Sequence, residues 1–390
     1  MTVGASWTEV TLEDHVDLVV GYAFKSSGYT DDESDVRLLR GDNVAQGELR
    51  WDKAKRWPVS DYQRYEAFHL REGDIILAMD RPWISAGLKY ARVKRKDTPS
   101  LLVQRVARLR GTESLKTDYL RCVIGSADFT DYVLSILTGV NIPHISAKDI
   151  KRFRFLLPPV PTQEKISRVI TSYDDLIENN TRRIEILEEM ARRLYEEWFV
   201  QFRFPGHEEK QLAFEQLNIF DIFSVKYGKG LSKKELIDGG EFPVYGAAKV
   251  IGHYHSYTYA DRQIIAGCRG SVGEFRITEP KSFVTNNSFV FLPRASVDFF
   301  WGYQALKMRG LKDVIGGAAQ PQITLDALQS ISIPYPSSEL REAYSDSVSP
   351  LFSMVWNLER KNKNLRTQRD LLLPKLISGE IDVSDIPMPT

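Results

Sequence analysis

Near the middle of the chain, residues 162–199 read TQEKISRVITSYDDLIENNTRRIEILEEMARRLYEEWF. Apolar residues recur in this stretch at alternating steps of four and three, with one Asn among them. The positions are Ile166, Ile170, Tyr173, Ile177, Asn180, Ile184, Leu187, Ala191, Leu194 and Trp198. This spacing is the a/d seam of a heptad repeat, which keeps one stripe of a long helix against a partner helix. Thr162 follows a Pro-rich segment and is expected to cap the helix N-terminus.

A second seam with the same alternation lies near the C-terminus. Its positions are Tyr344, Val348, Leu351, Val355, Leu358, Asn362, Leu365, Arg369, Leu372 and Leu376. Pro350 is expected to kink this second helix, and Pro374 is expected to bend or end it.

Each seam contains one Asn, and the two seams match when the helices run antiparallel with Asn180 opposite Asn362. This register pairs Ile166 with Leu376, Ile184 with Leu358, Leu187 with Val355 and Trp198 with Tyr344. A buried Asn lowers stability but fixes the register, because a slipped pairing would bury an unsatisfied amide. We therefore predict an antiparallel coiled coil within one chain. The alternative is that each helix packs on its own neighbouring domain or on another chain.

Composition narrows the class of protein. A chain of 390 residues is too long for one core, so two or three domains are expected. The formal net charge of zero argues against a general polyanion binder but allows local basic faces. The two cysteines, Cys122 and Cys268, form neither a metal motif nor a disulfide framework. No secretory signal pattern or bilayer-length apolar run is seen, so we expect a cytoplasmic protein that does not bind membranes.

The blocks that precede the two helices follow one pattern. In the first block, strands are predicted at 16–22, 74–79, 88–94 and 101–109, and a helix is predicted from Tyr119 to Leu137. In the second block, residues 219–228 resemble residues 12–21, and residues 263–267 resemble the strand at Asp74. The first block is longer, chiefly between Ser26 and Arg71.

The joints that lead into the helices match best. Residues 139–146 (GVNIPHIS) correspond to residues 317–324 (GAAQPQIT), with Pro, Ile and a hydroxyl residue at the same offsets. We predict an α+β chain with a pseudo-two-fold internal repeat. Its domains are expected at 1–155 (first globular block), 156–205 (central helix), 206–335 (second globular block) and 336–390 (C-terminal helix and tail).

Motifs for catalysis are missing from the sequence. The one Pro-Pro, at 158–159, lacks the Asn or Asp and the aromatic residue of an adenine methyltransferase motif. There is no phosphate-binding Gly-x-x-x-x-Gly-Lys-Ser/Thr loop and no His-Glu-x-x-His motif, and the six histidines have no metal-ligand spacing. We therefore expect no catalytic residue, no metal and no cofactor in this chain.

Charge placement indicates where a nucleic acid could bind. From Arg81 to Arg110 there are nine basic residues and a single acid, Asp97. In the second block, residues 267–273 form a Gly-rich loop around Arg269, and Asn286-Asn287 supply amides suited to adenine edges. The DNA-binding candidates are Arg81, Lys89, Arg92, Lys94, Arg95, Tyr245, Lys249, Arg269, Ser271, Asn286 and Asn287. The alternatives are a solvated strand edge for the basic run and a plain turn for Asn-Asn.

Several motifs together resemble one known family. They are residues 157–166 (LPPVPTQEKI), 184–187 (IEIL), 198–199 (WF), 371–381 (LLLPKLISGEI), 242–246 (FPVYG) and 270–273 (GSVG). The chain resembles the specificity subunit of a type I restriction-modification system, over nearly its whole length. One departure is Asn141-Ile142-Pro143-His144, which replaces the Gln-Pro form seen at Gln320-Pro321.

The resemblance implies a division of labour among subunits. The two blocks would each read one half of an asymmetric, split site on double-stranded DNA, and the paired helices would set the gap. Two modification subunits would bring S-adenosylmethionine and methylate adenine, and restriction subunits would add ATP- and Mg-dependent translocation and cleavage. The alternatives are a coiled-coil adaptor with no DNA role, or a methyltransferase or nuclease with an unfamiliar site.

Overall fold

The computed structural model describes residues 7–84, 86–137, 143–206, 214–317 and 320–386. The chain divides into two compact units. Unit 1 comprises Met1–Asn179 with Asn362–Thr390, and unit 2 comprises Asn180–Lys361. Both divisions fall inside a long helix, so each long helix contributes one part to each unit.

The described part of unit 1 contains short strands, three short α-helices, several 3-10 helices and parts of both long helices. The strands are β1 (Thr8–Thr11), β2 (Val16–Val20), β3 (Val36–Leu39), β4 (Arg56–Trp57), β5 (Ile75–Ala78), β6 (Trp83–Ile84), β7 (Gly87–Leu88), β8 (Tyr90–Arg92), β9 (Ser100–Leu102), β10 (Val106–Gly111) and β11 (Arg154–Leu157). The helices are α1 (Thr117–Ile124), α2 (Ala127–Leu137), α3 (Ala147–Lys151) and the long α4 (Val160–Tyr195), which continues as a π-helical turn at Glu196–Val200.

Unit 2 begins within α4 and repeats this plan. Its strands are β12 (Glu215–Asn218), β13 (Phe223–Tyr227), β14 (Phe242–Gly246), β15 (Lys249–Tyr254), β16 (Ile264–Gly267), β17 (Phe275–Ile277), β18 (Phe283–Val284), β19 (Ser288–Pro293) and β20 (Ser332–Tyr335). Its helices are α5 (Ile219–Ile222), α6 (Asp298–Arg309), α7 (Leu325–Leu328) and the long α8 (Ser338–Ile377).

The main sheets of the two units have the same topology. Each is four-stranded and antiparallel, in the order β2-β10-β5-β8 in unit 1 and β13-β19-β16-β17 in unit 2. The central strand of each three-stranded sheet also matches, because β3 pairs in parallel with β9 as β14 does with β18. The internal repeat predicted from the sequence is therefore confirmed.

The repeat extends to single hydrogen bonds. The amide of Gly21 donates to the carbonyl of Val106 at 3.1 Å, and the amide of Gly228 donates to that of Ser288 at 3.0 Å. In the joints, Ile145 donates to Met79 at 2.9 Å and Ile323 donates to Cys268 at 3.0 Å. The joint residues 139–142 and 318–319 lie outside the described residues.

In unit 1, α4 and α8 pack antiparallel. Ile166, near the start of α4, shares a buried cluster with Leu376, near the end of α8. Further along α4, the carbonyl of Ile177 accepts a hydrogen bond at 3.3 Å from the buried side chain of Asn362. The seam positions Ile170 and Leu372 pack in the same apolar cluster, and Leu365 is half-buried.

In unit 2 the two helices are antiparallel as well. Leu187 packs with Val355 and Leu358, with Ile184 and Leu351 beside them. Trp198 contacts Tyr344 with ring centroids 5.9 Å apart. Leu194 and Val348 belong to the main apolar core of this unit. The described parts thus confirm the predicted antiparallel pairing of the helices within one chain, while a contact between Asn180 and Asn362 stays a prediction.

Three sequence-based predictions of continuous elements were wrong. The strand expected over 88–94 is broken at Lys89, between β7 and β8, and ends at Arg92. The helix expected over Tyr119–Leu137 is broken into α1 and α2, where the Ser126 hydroxyl accepts the amide of Phe129 and starts a new helix. The strand expected over 101–109 is broken between β9 and β10, where Arg105 has a left-handed φ of 65°.

The predicted ends of the long helices also need correction. Helix α4 begins at Val160, and the carbonyl of Pro159 accepts the amides of Thr162 and Gln163, so Thr162 lies inside the first turn and is not the cap. Helix α8 includes Pro350 and continues past Pro374 to Ile377, so Pro374 does not end the helix where it stands. A kink at Pro350 and a bend at Pro374 stay predictions. A proline ring removes one main-chain donor, which a helix held by tertiary packing tolerates.

Candidate nucleic-acid interface

In unit 1, several chain segments meet at one end of the main sheet, and we call this end edge 1. Its residues are Arg40, Gly41 and Asp42 after β3, Asp80 and Arg81 after β5, Lys89 before β8, and Gln104 and Arg105 before β10. Strands β5 and β10 are antiparallel, so the end of one lies beside the start of the other. The amide of Met79 accordingly donates to the carbonyl of Arg105 at 2.9 Å.

Edge 1 surrounds a cleft of about 530 Å³. Most of its side chains are polar or charged, and the lining consists of Tyr29, Arg40, Gly41, Asp42, Asp80, Arg81, Lys89, Val103, Gln104 and Arg105. Basic groups outnumber acidic groups in this lining. The cleft is therefore suited to an anionic ligand that also carries hydrogen-bonding groups.

Asp80 is the centre of a hydrogen-bonded group at edge 1. One carboxylate oxygen accepts from Nη1 of Arg105 at 2.8 Å, and the other lies 2.7 Å from Nδ1 of His144. Partial burial opposes ionisation of Asp80, but the hydrogen bonds from His144 and Arg105 outweigh it and lower the pKa of the carboxyl. Asp80 thus stays charged and holds Arg105 in place.

The two predicted candidates at edge 1 differ in how they are held. Lys89 is half-buried and donates to the carbonyl of Gly41 at 2.6 Å, and burial lowers the pKa of its ammonium group. Arg81 is exposed, with a left-handed φ of 44°, and its side chain makes no hydrogen bond or ion pair to a described residue. Arg81 therefore offers a guanidinium available to a ligand.

The other three candidates of unit 1 lie at the opposite end of the sheet. Strand β8 pairs with β5 so that Arg92 faces the start of β5, whereas edge 1 lies at its end. Arg92 forms an ion pair with Asp118 at 3.1 Å, and Lys94 forms one with Glu178 of α4 at 2.6 Å. Arg95 follows in an exposed turn.

The basic stretch from Arg81 to Arg110 is therefore not one continuous face. Acids from distant segments neutralise much of it, including Asp17 beside the buried Arg108 and Asp74 beside Arg110. Arg92 and Lys94 thus each have an acidic partner within unit 1, and their assignment to DNA stays a prediction. The sequence does not predict these ion pairs, because each acid lies far from its basic partner along the chain.

In unit 2, the corresponding end of the main sheet is edge 2. It contains Ala247 and Ala248 after β14, Arg269 to Ser271 after β16, and Asn286 and Asn287 before β19. The amide of Cys268 donates to the carbonyl of Asn287 at 2.9 Å. The structure thus brings together the predicted candidates Arg269, Ser271, Asn286 and Asn287, of which Arg269 and both Asn residues are exposed.

The two remaining candidates of unit 2 differ in exposure to solvent: Lys249 is exposed and Tyr245 is buried. Lys249 is exposed next to the Ala247-Ala248 turn and forms an ion pair with Glu274 at 3.3 Å. Tyr245 is 1% exposed, and its hydroxyl accepts the amide of Glu279 at 3.1 Å. Burial raises the pKa of Tyr245. Its assignment as a DNA contact was wrong, because β14 points this side chain into the core.

The shared register defines equivalent positions at the two edges. Ala78 pairs with Val106 as Gly267 pairs with Ser288, so Asp80 corresponds to Arg269, Gln104 to Asn286 and Arg105 to Asn287. Asp80 forms a β-bridge with His144 as Arg269 does with Gln322. The two edges therefore share a backbone but carry different chemical groups.

The predicted candidates did not include Arg40, Asp80, Gln104 and Arg105 of edge 1, or His144, which contacts Asp80. A usable signal was present for His144, because it is one of the residues at which the first joint departs from the second, where the equivalent residue is Gln322. Its partner Asp80 stands where the second block has Arg269. Aligning the two blocks strand by strand would have exposed this paired difference.

Two other kinds of site are absent from the described part of the chain. Within it, no group of three or more His, Cys, Asp or Glu side chains could hold a metal ion. Among the same residues, no helix combines the length and the apolar character needed to cross a membrane.

Comparison with known proteins identifies the family. The family model described as "Type I restriction modification DNA specificity domain" matches residues 5–189 and 213–366, which is most of the chain. The chain therefore belongs to the type I restriction-modification DNA specificity family, as its sequence motifs predicted.

Individual relatives agree with this assignment. The EcoAI specificity subunit of Escherichia coli is 34% identical over 44% of this chain and 28% of its own length. The MjaVIII specificity subunit of Methanocaldococcus jannaschii is 29% identical over 48% of this chain and 44% of its own length. The chain thus spans less than half the length of these two relatives. The crystal structure of the type I restriction-modification S subunit from M. genitalium has the same fold, with a TM-score of 0.56, 20% identity and 98% coverage of both chains.

Proposed function

We propose that this chain reads the two halves of an asymmetric, split site on double-stranded DNA and has no catalytic residue of its own. One observation carries the proposal: a single sheet topology occurs twice and presents different polar groups at equivalent edge positions. Arginine suits guanine edges and Asn or Gln suits adenine edges, so the two edges favour different bases.

The phosphate backbone would be bound by the basic groups around the edges. Arg81 and Arg40 at edge 1, and Lys249 and Arg269 at edge 2, are positioned for this role. Such contacts supply affinity and set the register on the duplex, while amide and guanidinium groups at the base edges supply the sequence preference. The zero net charge of the chain keeps binding local to these edges.

The long helices would serve as spacer and docking surface. Seam residues hold the helices together, while other apolar side chains stay exposed: Leu176 and Leu371 in unit 1, and Ile186, Met190 and Met354 in unit 2. Exposed apolar side chains of this size suit contacts with partner proteins. We propose recognition domains at 1–155 and 206–335, and helical segments at 156–205 and 336–390.

The partners would be two modification subunits and restriction subunits, in the cytoplasm. S-adenosylmethionine would be bound by the modification subunits, and ATP and Mg by the restriction subunits. This division agrees with the lack of a recognisable catalytic motif in the sequence.

Methylome sequencing tests the proposal. The chain would be co-expressed with a candidate modification subunit from the same genome in a host that lacks both. We expect N6-methyladenine within a split, asymmetric motif, and none when the modification subunit carries an inactivated methyltransferase site. An unsplit motif, or no motif from a stable complex, would contradict the proposal.

A further inference from the structure

We infer that Arg105, positioned by Asp80 and His144, reads a guanine in the half-site bound at edge 1. The inference rests on the proposed function and deepens it, because it names one specificity-determining residue and the two residues that hold it. It starts from the geometry of edge 1, where Arg105 borders the cleft and points its guanidinium towards Asp80.

Arg105 combines exposure with order. Its side chain is 68% exposed, so a ligand can reach it, yet Nη1 is held by Asp80 at 2.8 Å. A planar guanidinium held through one nitrogen keeps its other N–H donors free in a defined plane. Those donors match the O6 and N7 acceptors that guanine presents in the major groove. Less conformational entropy is then lost when the base is bound.

Asp80 acts through Arg105 and not by contacting a base itself. Both of its carboxylate oxygens are occupied, one by Arg105 and the other by His144. His144 is fixed in turn, because its segment forms a β-bridge with Asp80 and the amide of Ile145 donates to Met79. Asp80 and His144 are therefore positioning residues.

The other basic groups at edge 1 have different roles. Lys89 is tied to the carbonyl of Gly41, and Arg81 lacks a described partner that would orient its guanidinium. An exposed arginine without such a partner suits phosphate, which accepts from many directions, better than it suits one base edge. Arg105 differs from both, because a carboxylate at the cleft orients its guanidinium.

Unit 2 shows why the half-sites differ. There the arginine, Arg269, stands at the position of Asp80, and Asn287 stands at the position of Arg105. Gln322 stands at the position of His144. In unit 1 the histidine contacts the carboxylate of Asp80, and unit 2 has no carboxylate at that position. Edge 2 thus has no guanidinium held by a carboxylate at the position of Arg105, so the two half-sites should differ at this step.

The test uses the chain assembled with its modification subunits. Binding to duplexes randomised over the half-sites is measured for the wild type, for Arg105→Ala and for Asp80→Asn. We expect Arg105→Ala to lose about tenfold to a hundredfold discrimination at one guanine position. Asp80→Asn should weaken the preference at that same position, with unchanged affinity for non-specific DNA.

Arg154→Ala is the matched control. Arg154 lies in unit 1, is 71% exposed and forms an ion pair with Glu9 at 3.5 Å, but it belongs to β11, away from edge 1. This variant removes the same charge from the same unit and should leave the motif unchanged. A shared effect of both Ala variants would indicate a general loss of charge, which contradicts base reading by Arg105.

A base analogue gives a second measurement, and its first part uses only the wild-type chain. Each guanine of the edge 1 half-site is replaced in turn by 7-deazaguanine, which lacks the N7 acceptor. The wild type should lose affinity at one position, and Arg105→Ala should lose no more there, because the two changes remove the same contact. Tolerance of the analogue at every guanine, or simple additivity with Arg105→Ala, would overturn the inference.

The outcomes separate the inference from the function on which it rests. If the wild-type complex shows no split motif, the proposed function fails. If the wild type shows a split motif and Arg105→Ala leaves every position unchanged, only the assignment of Arg105 fails. If Arg81→Ala erases the guanine preference while Arg105→Ala does not, the roles of these two arginines must be exchanged.

Discussion

At the residue scale, the start of each long helix is anchored by a buried polar side chain. Gln163 of α4 donates to the carbonyls of Pro158 and Ser114, each at 2.8 Å, and accepts the amide of Lys116 at 2.9 Å. The equivalent residue of α8 is Arg341, whose Nε donates to the carbonyl of Pro336 at 3.0 Å. The same anchoring position thus holds an amide in one unit and a cation in the other.

The cation in unit 2 requires an anion beside it. Arg341 forms a buried ion pair with Asp298 of α6 and stacks 3.9 Å from the ring of Tyr335, whose hydroxyl donates to Asp298 at 3.0 Å. Replacing Arg341 by Met should cost about 3–5 kcal/mol, because it leaves a buried carboxylate without its counter-charge. Unfolding by urea, followed for Arg341→Met, Asp298→Leu and the double variant, measures this effect.

The double variant is the informative member of this cycle. It removes both charges, so its free energy of unfolding should lie well above the value expected from adding the two single losses. Strict additivity of the two losses would show that the pair does not act as a unit.

The burial of the two thiols, Cys122 and Cys268, predicts how fast they react with a thiol reagent. Burial raises the pKa of Cys122 to about 12, and burial also raises the pKa of Cys268, whose Sγ lies 3.4 Å from the carbonyl of Asn286. The thiolate is the reactive form, so both should react slowly with a thiol reagent at a pH of about 8 in the native chain and rapidly in denaturant. Rapid labelling of native Cys122 would show that α1 opens readily.

At the element scale, the end of the first main-sheet strand in each repeat leaves no room for a side chain. A Cβ on Gly228 would lie 2.3 Å from the carbonyl oxygen of Thr285, and a Cβ on Gly21 would lie 2.2 Å from that of Val103. Neither contact is possible for a real side chain. Glycine is therefore required at both positions because another strand passes close by, and not because of an unusual φ.

Two glycines only two positions apart allow a controlled test of this requirement. Gly228→Ala should destabilise the chain by about 1–3 kcal/mol, because the main chain must shift to admit the methyl group. A Cβ on Gly230 would have no neighbouring atom within 4 Å, so Gly230→Ala should stay within about 0.5 kcal/mol of wild type. Urea-unfolding midpoints compare the two, and equal midpoints would contradict the close approach of β13 and β18.

At the scale of the whole molecule, duplication and helix pairing are linked. Each unit contains one main sheet and a segment of both long helices, and in each the helix segments are antiparallel. A chain built this way can vary its two recognition edges independently while the helix seam stays the same. The proposed function predicts that the seam length sets the gap between the half-sites.

A heptad insertion tests that role. Seven residues added after Asn179 in α4 and seven added before Asn362 in α8 preserve the seam. They lengthen each helix by about 10 Å, which corresponds to about three base pairs of B-DNA. Methylome sequencing should show the same two half-sites with a gap longer by this amount. An unchanged gap would remove the helices as the spacer.

The spacing of residues in the sequence by itself determined the two long helices, their antiparallel pairing and the internal repeat. Heptad steps such as Ile184 to Leu187 are local patterns, and a helix turns any such pattern into a buried stripe wherever it packs. Family motifs at residues 157–166 and 371–381 added the class of protein, which the comparisons confirmed.

Tertiary structure alone decided which charged and polar side chains form the edges. Lys94 forms an ion pair with Glu178, Arg92 with Asp118 and Arg105 with Asp80. In each pair the acid lies far from the basic residue along the sequence. Strand register likewise buried Tyr245 and set Asp80 opposite His144. Sequence spacing cannot show such pairings, because the electrostatic environment of a group depends on neighbours that only the folded chain brings together.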